Sequence, residues 1–528
     1  MLIEFMRIGG MVACRRSVAL QAGLVLGLLV IPHLCMAQTT ALVSERTPAP
    51  TPTPVPNADD QSQAPLTDRE RAMLELIKEL QERVSKLEAA QTAPAPIPVG
   101  AASTETEAIE AESPPPPATE PPPQTETRRD GSYTPNLGYK IVDTEYGDLN
   151  VSIYTYVRYL NQLGLDSTYT DAFGNTKTIQ QRQEAQLLKL QIKFLGWILN
   201  PKLRYFLYAW TSNANQGQGA QVVLAGNLQY TFNKYLTLGG GIRSLPGTRS
   251  VEGNFPFWPN VDSRHIADEF MRPSYTSGFW AMGNLAKRLK YIAMLGNNMS
   301  TLGVPSSRID NGLNTFSGAL IWFPTGDFEK GFSGQGWGDF EHHEDFSTRL
   351  AFHFSRSDEN KESQPSSDQF ENTQLRLSDG TVIFTPNIFG PDTTITDARY
   401  RMSTFDGGFK YRGYSLEGEY YWRWLDNFRG TNTEAIPRLF DHGFQMQTTA
   451  MLIPKTLQAY AGHSRVFGQY GNPWDFRFGT NWFPYKNKVL RWNTEGLYLR
   501  NSPVGYTSVP FNVGGNGWVF HTSLELAF

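Results

Sequence analysis

The chain has 528 residues and a net charge of −4, with 13% aromatic and only 19% charged residues. That charged fraction is below the roughly 25% of an ordinary soluble domain, and the near-neutral balance gives no ground for nucleic-acid binding. A mean hydropathy of −0.39 excludes a bundle of transmembrane helices, which needs repeated apolar runs of about 20 residues. An all-β chain fits what remains; if it enters a membrane it must close into a barrel, because hydrocarbon tolerates no unpaired strand edge.

Arg15 and Arg16 precede an apolar stretch from Val18 to Ile31, which Pro32 ends. Cys35-Met36-Ala37 then offers a cleavage site, so residues 1–37 read as a secretory signal peptide, starting at Met1 or Met11. Leu34 before Cys35 speaks against lipidation, which needs a small residue there. Cys14 and Cys35 both fall in this segment, so the expected mature chain has no thiol chemistry and no disulfide.

Residues 38–65 are rich in Pro, Thr, Ala and Asp and predict an extended linker. A helix is expected over 66–91. Thr67 and Glu70 form a capping box. Leu66, Met73, Leu80 and Leu87 recur every seven residues, with Ile77 and Val84 at the other core position. That is a coiled coil of about three heptads. Ile and Val opposite Leu favour two strands, whereas Arg83 to Glu88 resembles a trimerisation motif of short coiled coils. A lone amphipathic helix is the alternative, but so short a helix is marginal in water. Residues 92–136 form a second linker rich in Pro, Glu and Ala. Residues 1–137 hold 11 basic and 17 acidic side chains, which leaves the rest about two charges positive.

From Gly147 the hydrophobic period changes to two. Leu149, Val151, Ile153, Thr155 and Val157 alternate with Asn150, Ser152, Tyr154, Tyr156 and Arg158. The same alternation sets Leu188, Leu190, Ile192 and Phe194 against Lys189, Gln191 and Lys193. Further on, Leu416, Gly418, Tyr420, Trp422 and Trp424 oppose Glu417, Glu419, Tyr421 and Arg423. The last strand places Trp518, Phe520, Thr522, Leu524, Leu526 and Phe528 on one side, with Val519, His521, Ser523, Glu525 and Ala527 on the other. Sixteen such segments are expected over 137–528. Short turns fall near 200–202, 233–235, 286–289, 412–414, 453–456 and 484–488, and long loops near 161–181, 244–277, 357–398, 425–441 and 501–517. The segment 324–346 breaks the rule, either as a miscounted strand or as an elaborated turn. Short turns on one side and long loops on the other are the pattern of a transmembrane β-barrel, and the aromatic excess fits interfacial girdles. The expected fold is therefore an all-β, sixteen-stranded antiparallel barrel in the cell outer membrane. Its coiled-coil helix would lie in the periplasm.

Several segments resemble the phosphate-selective porin family, of the porin O and porin P type. They are ADEFMRPSYTSGFW from Ala267 to Trp280, MLGNNMST from Met294 to Thr301, ENTQLRLSDG from Glu371 to Gly380, and GYSLEGEYY from Gly413 to Tyr421. The resemblance covers roughly 138–528. It implies a homotrimer of sixteen-stranded barrels in outer-membrane lipid. The third outer loop, here about 244–277, would fold inward and narrow the pore. It also implies selection of phosphate or other small anions through Arg ladders and Lys. Some relatives carry a periplasmic coiled coil before the barrel, in agreement with 66–91.

A pore selects by the charge it shows a permeating ion. The polar strand faces carry Arg158, Lys189, Lys193, Arg243, Arg423, Arg477 and Arg491, and the inward loop adds Arg249, Arg264 and Arg272. Arg suits phosphate through its planar fork. Glu417, Glu419, Glu495 and Glu525, with Asp262, Asp268 and Glu269 in the loop, lie on the same faces. The bland alternative is that acids and bases simply pair on the wall. Enzyme signals are weak. Glu341-His342-His343-Glu344 lacks the helical spacing of a metal motif, and His463 and Ser464 point to opposite strand faces. No catalysis, cofactor or metal is expected. The expectation is passive, anion-leaning diffusion. The alternative is a barrel that serves mainly as an anchor, its coiled coil tethering the cell wall or a periplasmic partner.

Overall fold

The computed structural model describes residues 131–528 apart from 136, 212–221, 252–256, 302–303, 305, 310–311, 332–335, 366–373 and 507. The signal peptide, the coiled coil over 66–91 and the linkers up to residue 130 lie outside the described residues. Backbone pairing begins at Tyr133, inside the segment expected as linker, where Tyr133–Thr134 pairs with the start of Gly138–Thr144.

Among the described residues sixteen antiparallel strands build the wall. They are β1 (Gly147–Leu165), β2 (Gln183–Ile198), β3 (Asn200–Thr211), β4 (Val222–Asn233), β5 (Leu236–Ser244), β6 (Tyr275–Ala286), β7 (Leu289–Gly296) and β8 (Thr315–Trp322). The second half comprises β9 (Ser347–Asn360), β10 (Thr394–Tyr411), β11 (Tyr414–Thr431), β12 (Leu439–Ile453), β13 (Leu457–Phe467), β14 (Trp474–Trp482), β15 (Leu490–Arg500) and β16 (Gly517–Ala527). Each pairs with its neighbour in sequence. β16 returns to β1, with Thr522 opposite Tyr159 and Ala527 opposite Tyr154, so the sheet closes.

The seam has its own device. Phe528 exchanges two backbone hydrogen bonds with Ile153, at 2.8 and 2.9 Å. Below that point the hairpin strand Gly138–Thr144 takes over the edge of β1, with Tyr139 opposite Val151. Gly138 sits at φ +78°, and a Cβ there would lie 1.9 Å from the Val151 carbonyl oxygen, so only glycine fits.

The period-two reading holds along the wall. Val157, Leu190, Leu207, Leu228, Phe279, Leu320, Phe352, Phe405, Phe478, Trp492 and Leu524 all point outward and are exposed. Their inward neighbours on β9 to β16 are polar and buried, among them His353, Asp406, Arg477, Asn493 and Glu525. One-in, one-out alternation of this kind is what a wall between hydrocarbon and a polar interior needs. At one end the turns are tight: Arg412 and Gly413 both take positive φ, the two-residue turn that matches strand twist.

One open alternative is resolved and one loop is shorter than expected. β8 pairs directly with β9, Thr315 opposite Ser357 and Trp322 opposite Leu350. No strand is therefore missing at 324–346, and the turn is an elaborated one. The long loop expected over 425–441 shrinks to 432–438, because β11 runs on to Thr431. β10 and β11 have 18 residues each, well beyond the roughly 9–11 that cross a bilayer. Past the apolar band their sequence turns polar, as at Asp426 and Arg429, and stops looking like strand.

The apolar core sits inside the barrel mouth. Ile266, Phe270 and Met271 from the loop after β5 pack with Leu375, Leu377 and Ile383 from the loop after β9, and with Val504 and Phe511 from the loop before β16.

Phe405 lies near the middle of β10 on the outward face and is 46% exposed. Phe405→Arg is expected to cost about 2–4 kcal/mol in a bilayer. Denaturant unfolding in lipid vesicles, read beside the apolar control Phe405→Leu, measures it.

Candidate functional site: the lumen and its inward loop

After β5 the described residues 245–251 and 257–274 lie inside the barrel instead of outward. They contain a 3-10 turn at Arg249–Val251 and a short helix, α1 (Ile266–Met271). An irregular loop inside a barrel has many carbonyls that water cannot reach, and each needs a donor. The wall supplies arginines. Arg158 on β1 donates to the carbonyl of Val261 at 3.0 Å. Arg491 on β15 reaches the carbonyls of Trp258, Pro259 and Asn260, at 2.7, 3.2 and 3.3 Å. Arg477 on β14 donates to the carbonyl of Arg264 at 2.8 Å, and Arg423 on β11 to that of Phe270 at 3.0 Å. Tyr400 on β10 adds its hydroxyl to the carbonyl of Met271 at 2.6 Å. The loop is thus held at points around the lumen wall.

Charge is balanced throughout this packed region. Lys189 pairs with Asp262 at 2.6 Å, and Tyr156 donates to the same carboxylate at 2.8 Å. Arg249 pairs with Glu417 across the lumen. Within the loop, Glu269 takes both Arg264 at 3.1 Å and Arg272 at 2.6 Å. On the wall Arg477 pairs with Asp475 at 2.8 Å, Arg491 with Glu525 at 2.7 Å, and Arg423 with Asp441 at 2.6 Å. Burial alone would raise the Glu269 carboxyl, but Arg272 and Arg264 hold it below its usual range. Beside it, burial outweighs the same two arginines and pushes the Asp268 carboxyl up to about 6.

The elaborated turn 323–346 meets the loop from the opposite end. Trp337 donates its amide to the carbonyl of Phe257 at 2.8 Å. The Gly336 carbonyl accepts from Arg249 at 3.2 Å and from Lys410 at 2.7 Å. Arg249 also lies 4.3 Å from the ring centre of Trp337 and 5.1 Å from that of Phe328. Two segments entering from opposite ends therefore share one guanidinium. His343 in this turn uses one ring nitrogen on Asp339 and the other on the Asp327 carbonyl, at 2.5 and 2.8 Å. Among the described residues no group of three or more His, Cys, Asp or Glu is placed to hold a metal ion.

The ten cations read from sequence thus separate, Arg423 joining the packed group through the Phe270 carbonyl and Asp441. Arg158, Lys189, Arg249, Arg264, Arg272, Arg477 and Arg491 are engaged with loop carbonyls or carboxylates in the packed region. Lys193 and Arg243 are half-buried on a different arc of the wall. That arc is the inner face of β2 to β5. Its inward residues, including Phe206, Trp210, Asn227 and Gln229, are half-buried, while Arg204 and Gly241 are exposed. Inward residues of β9 to β16 such as His353, Asp406, Ser464 and Asn493 have essentially no exposure. Water therefore reaches the lumen along one arc. Strand alternation did not single out Arg204, which lies inward because it faces Trp197 across β2 and β3. A simple signal was present all the same. From Ala185 to Val251 the sequence contains no Asp or Glu, and this stretch is the one that builds the wetted arc.

No family model and no curated protein matches the chain. Among solved structures, the trimer form of in-vitro folded OmpT, an outer membrane protein of Vibrio cholerae, is similar with 11% identity and a TM-score of 0.45. It is covered completely by 72% of this chain. An anion-selective porin from Comamonas acidovorans gives 9% identity and a TM-score of 0.43, with 72% of this chain and 100% of that chain covered. The outer membrane channel DcaP of Acinetobacter baumannii gives 7% and 0.45, with 74% and 100% covered.

Arg249→Ala leaves Glu417 buried without its cation and is expected to cost about 3–5 kcal/mol. The double variant with Glu417→Gln recovers part of that loss, read as a coupling energy from denaturant unfolding. Asp268 sets a pH dependence. Its pKa in the fold lies above the unfolded value, so its contribution to stability is full near pH 4 and is lost as pH rises through about 6. Asp268→Asn should accordingly gain stability relative to the parent between pH 4 and pH 7, measured by unfolding at both.

Proposed function

We propose that the chain is an outer-membrane porin for passive diffusion of small solutes, with a preference for anions. The carrying observation is the wetted arc of β2 to β5, which presents Lys193, Arg204 and Arg243 and has no carboxylate anywhere from Ala185 to Val251. Charges lining a narrow, low-dielectric passage focus their field on its contents, and ion selection follows the sign displayed. The packed half of the lumen adds little, since its cations are neutralised within contact distance.

The outward apolar face supports placement in a membrane, and the signal peptide supports export. The same reading takes the chain as a homotrimer with the coiled coil over 66–91 on the periplasmic side. An apolar recess of about 330 Å³ on the outer wall, where Ala293 and Gly318 lack bulk beside Tyr291, Leu320 and Phe352, gives a neighbouring apolar group room to seat. Phosphate enters as one of the permeating anions. The arginines that would make a phosphate ladder are occupied by the inward loop, so preference by charge is the stronger reading than specific capture.

The test is the reversal potential of the purified protein in a planar bilayer under a salt gradient. The expected sign is that of faster chloride. Lys193→Gln with Arg243→Gln should bring the anion-to-cation permeability ratio toward one. Faster cation passage in the unmodified protein would overturn the proposal.

A further inference from the structure

The wetted arc carries more than charge. Phe206, Tyr208 and Trp210 occupy three successive inward positions of β3, facing Leu195, Lys193 and Gln191 of β2. Successive inward residues stand about 7 Å apart along a strand, so the three rings form a row of about 14 Å along the strand. Phe206 and Tyr208 are neighbours, with ring centres 5.2 Å apart. Tyr208 is largely covered, whereas Phe206 and Trp210 are partly exposed, with the Lys189 ammonium 5.2 Å from the Trp210 ring centre. On the other side of the row β4 and β5 present Ala225 and Gly241, which leave depth beside the rings. Lys193 flanks the row on β2. Arg243 flanks it on β5, resting 5.4 Å from the ring centre of Trp280, whose indole lies flat against Gly239.

An inorganic anion gains nothing from such a row, because the face of an aromatic ring is electronegative. A sugar finds rings, but no carboxylate to accept its hydroxyl protons. A flat organic anion uses every element at once: its ring stacks on the row and its charge meets Lys193 or Arg243. We propose that this wall is a low-affinity track for planar aromatic carboxylates, the benzoate class. The proposal rests on the porin reading and names its substrate class.

The experiment compares block of the chloride current by benzoate, cyclohexanecarboxylate and acetate in the full-length protein. Benzoate is expected to block at roughly three- to tenfold lower concentration than either of the other two, the span of one ring-stacking contact. In Phe206→Leu with Trp210→Leu, which keep apolar bulk and lose the rings, the benzoate-to-acetate ratio should fall to about one. Trp210→Phe alone should retain most of it. Equal block by benzoate and cyclohexanecarboxylate would overturn the inference, as would block by glucose at benzoate's concentration. A protein that carries no current would sink the porin reading but not the track. Titration calorimetry of benzoate into the detergent-solubilised protein then decides: saturable heat that the double leucine variant loses supports the track, and no saturable heat overturns it.

Discussion

The interior of this barrel is governed by the need to satisfy an irregular backbone away from water. A loop of some thirty residues passes through the lumen, and α1 accounts for only six of them. Most of its carbonyls have no helical partner and cannot be left bare at modest cost. Arginine answers that need well, because its donors spread over a planar fork and reach several acceptors at once. Arg491 shows the economy of the arrangement: it serves three consecutive loop carbonyls and Glu525 with one side chain. A lysine at that place would meet fewer of these groups. Once the loop is fixed by such contacts, its own Arg249 is positioned to take the turn 323–346 from the other end.

That constraint divides the lumen. Wherever the loop touches the wall, burial forces every cation to find a carboxylate or a carbonyl, since an unpaired buried charge is costly. The dense pairing of Arg477 with Asp475, Arg491 with Glu525 and Arg423 with Asp441 follows from it. On β2 to β5 the sequence from Ala185 to Ser244 supplies no carboxylate of its own, and Lys189 takes its partner, Asp262, from the loop. The same event, folding of one loop against one side, leaves a packed, charge-paired part of the lumen and a partly exposed part that carries Lys193, Arg204 and Arg243.

How far the sequence showed this depends on the link considered. Strand faces were legible because the side-chain period is two and one face meets hydrocarbon. Trp518, Phe520 and Leu524 point outward and His521 and Glu525 inward, as alternation required. The inward fold of the loop rested on a family resemblance, and its Arg249 and Arg272 are buried. Their roles were not legible. Alternation states which side of the sheet Arg158 and Arg477 occupy, but not whether a carbonyl, a carboxylate or water waits there. Those partners lie more than 100 residues away in sequence: Val261 for Arg158, Arg264 for Arg477. The carboxylate-free run from Ala185 to Val251 was readable without any structure. Its meaning appeared only once β2 to β5 were seen to be the part of the wall the loop leaves uncovered.

The division also determines which charges a passing solute can feel. An ion pair in contact is a dipole, whose field falls off faster than that of a lone charge, and the pairs beside the inward loop are in contact. The strands that carry Lys193, Arg204 and Arg243 contribute no Asp or Glu from Ala185 to Ser244, and screening by salt acts over about 8–10 Å. The packed side therefore fills part of the lumen with paired charge, and the stretch without carboxylates lines another part of the wall. Fewer acids on one arc, rather than more bases overall, is what distinguishes that part of a nearly neutral barrel.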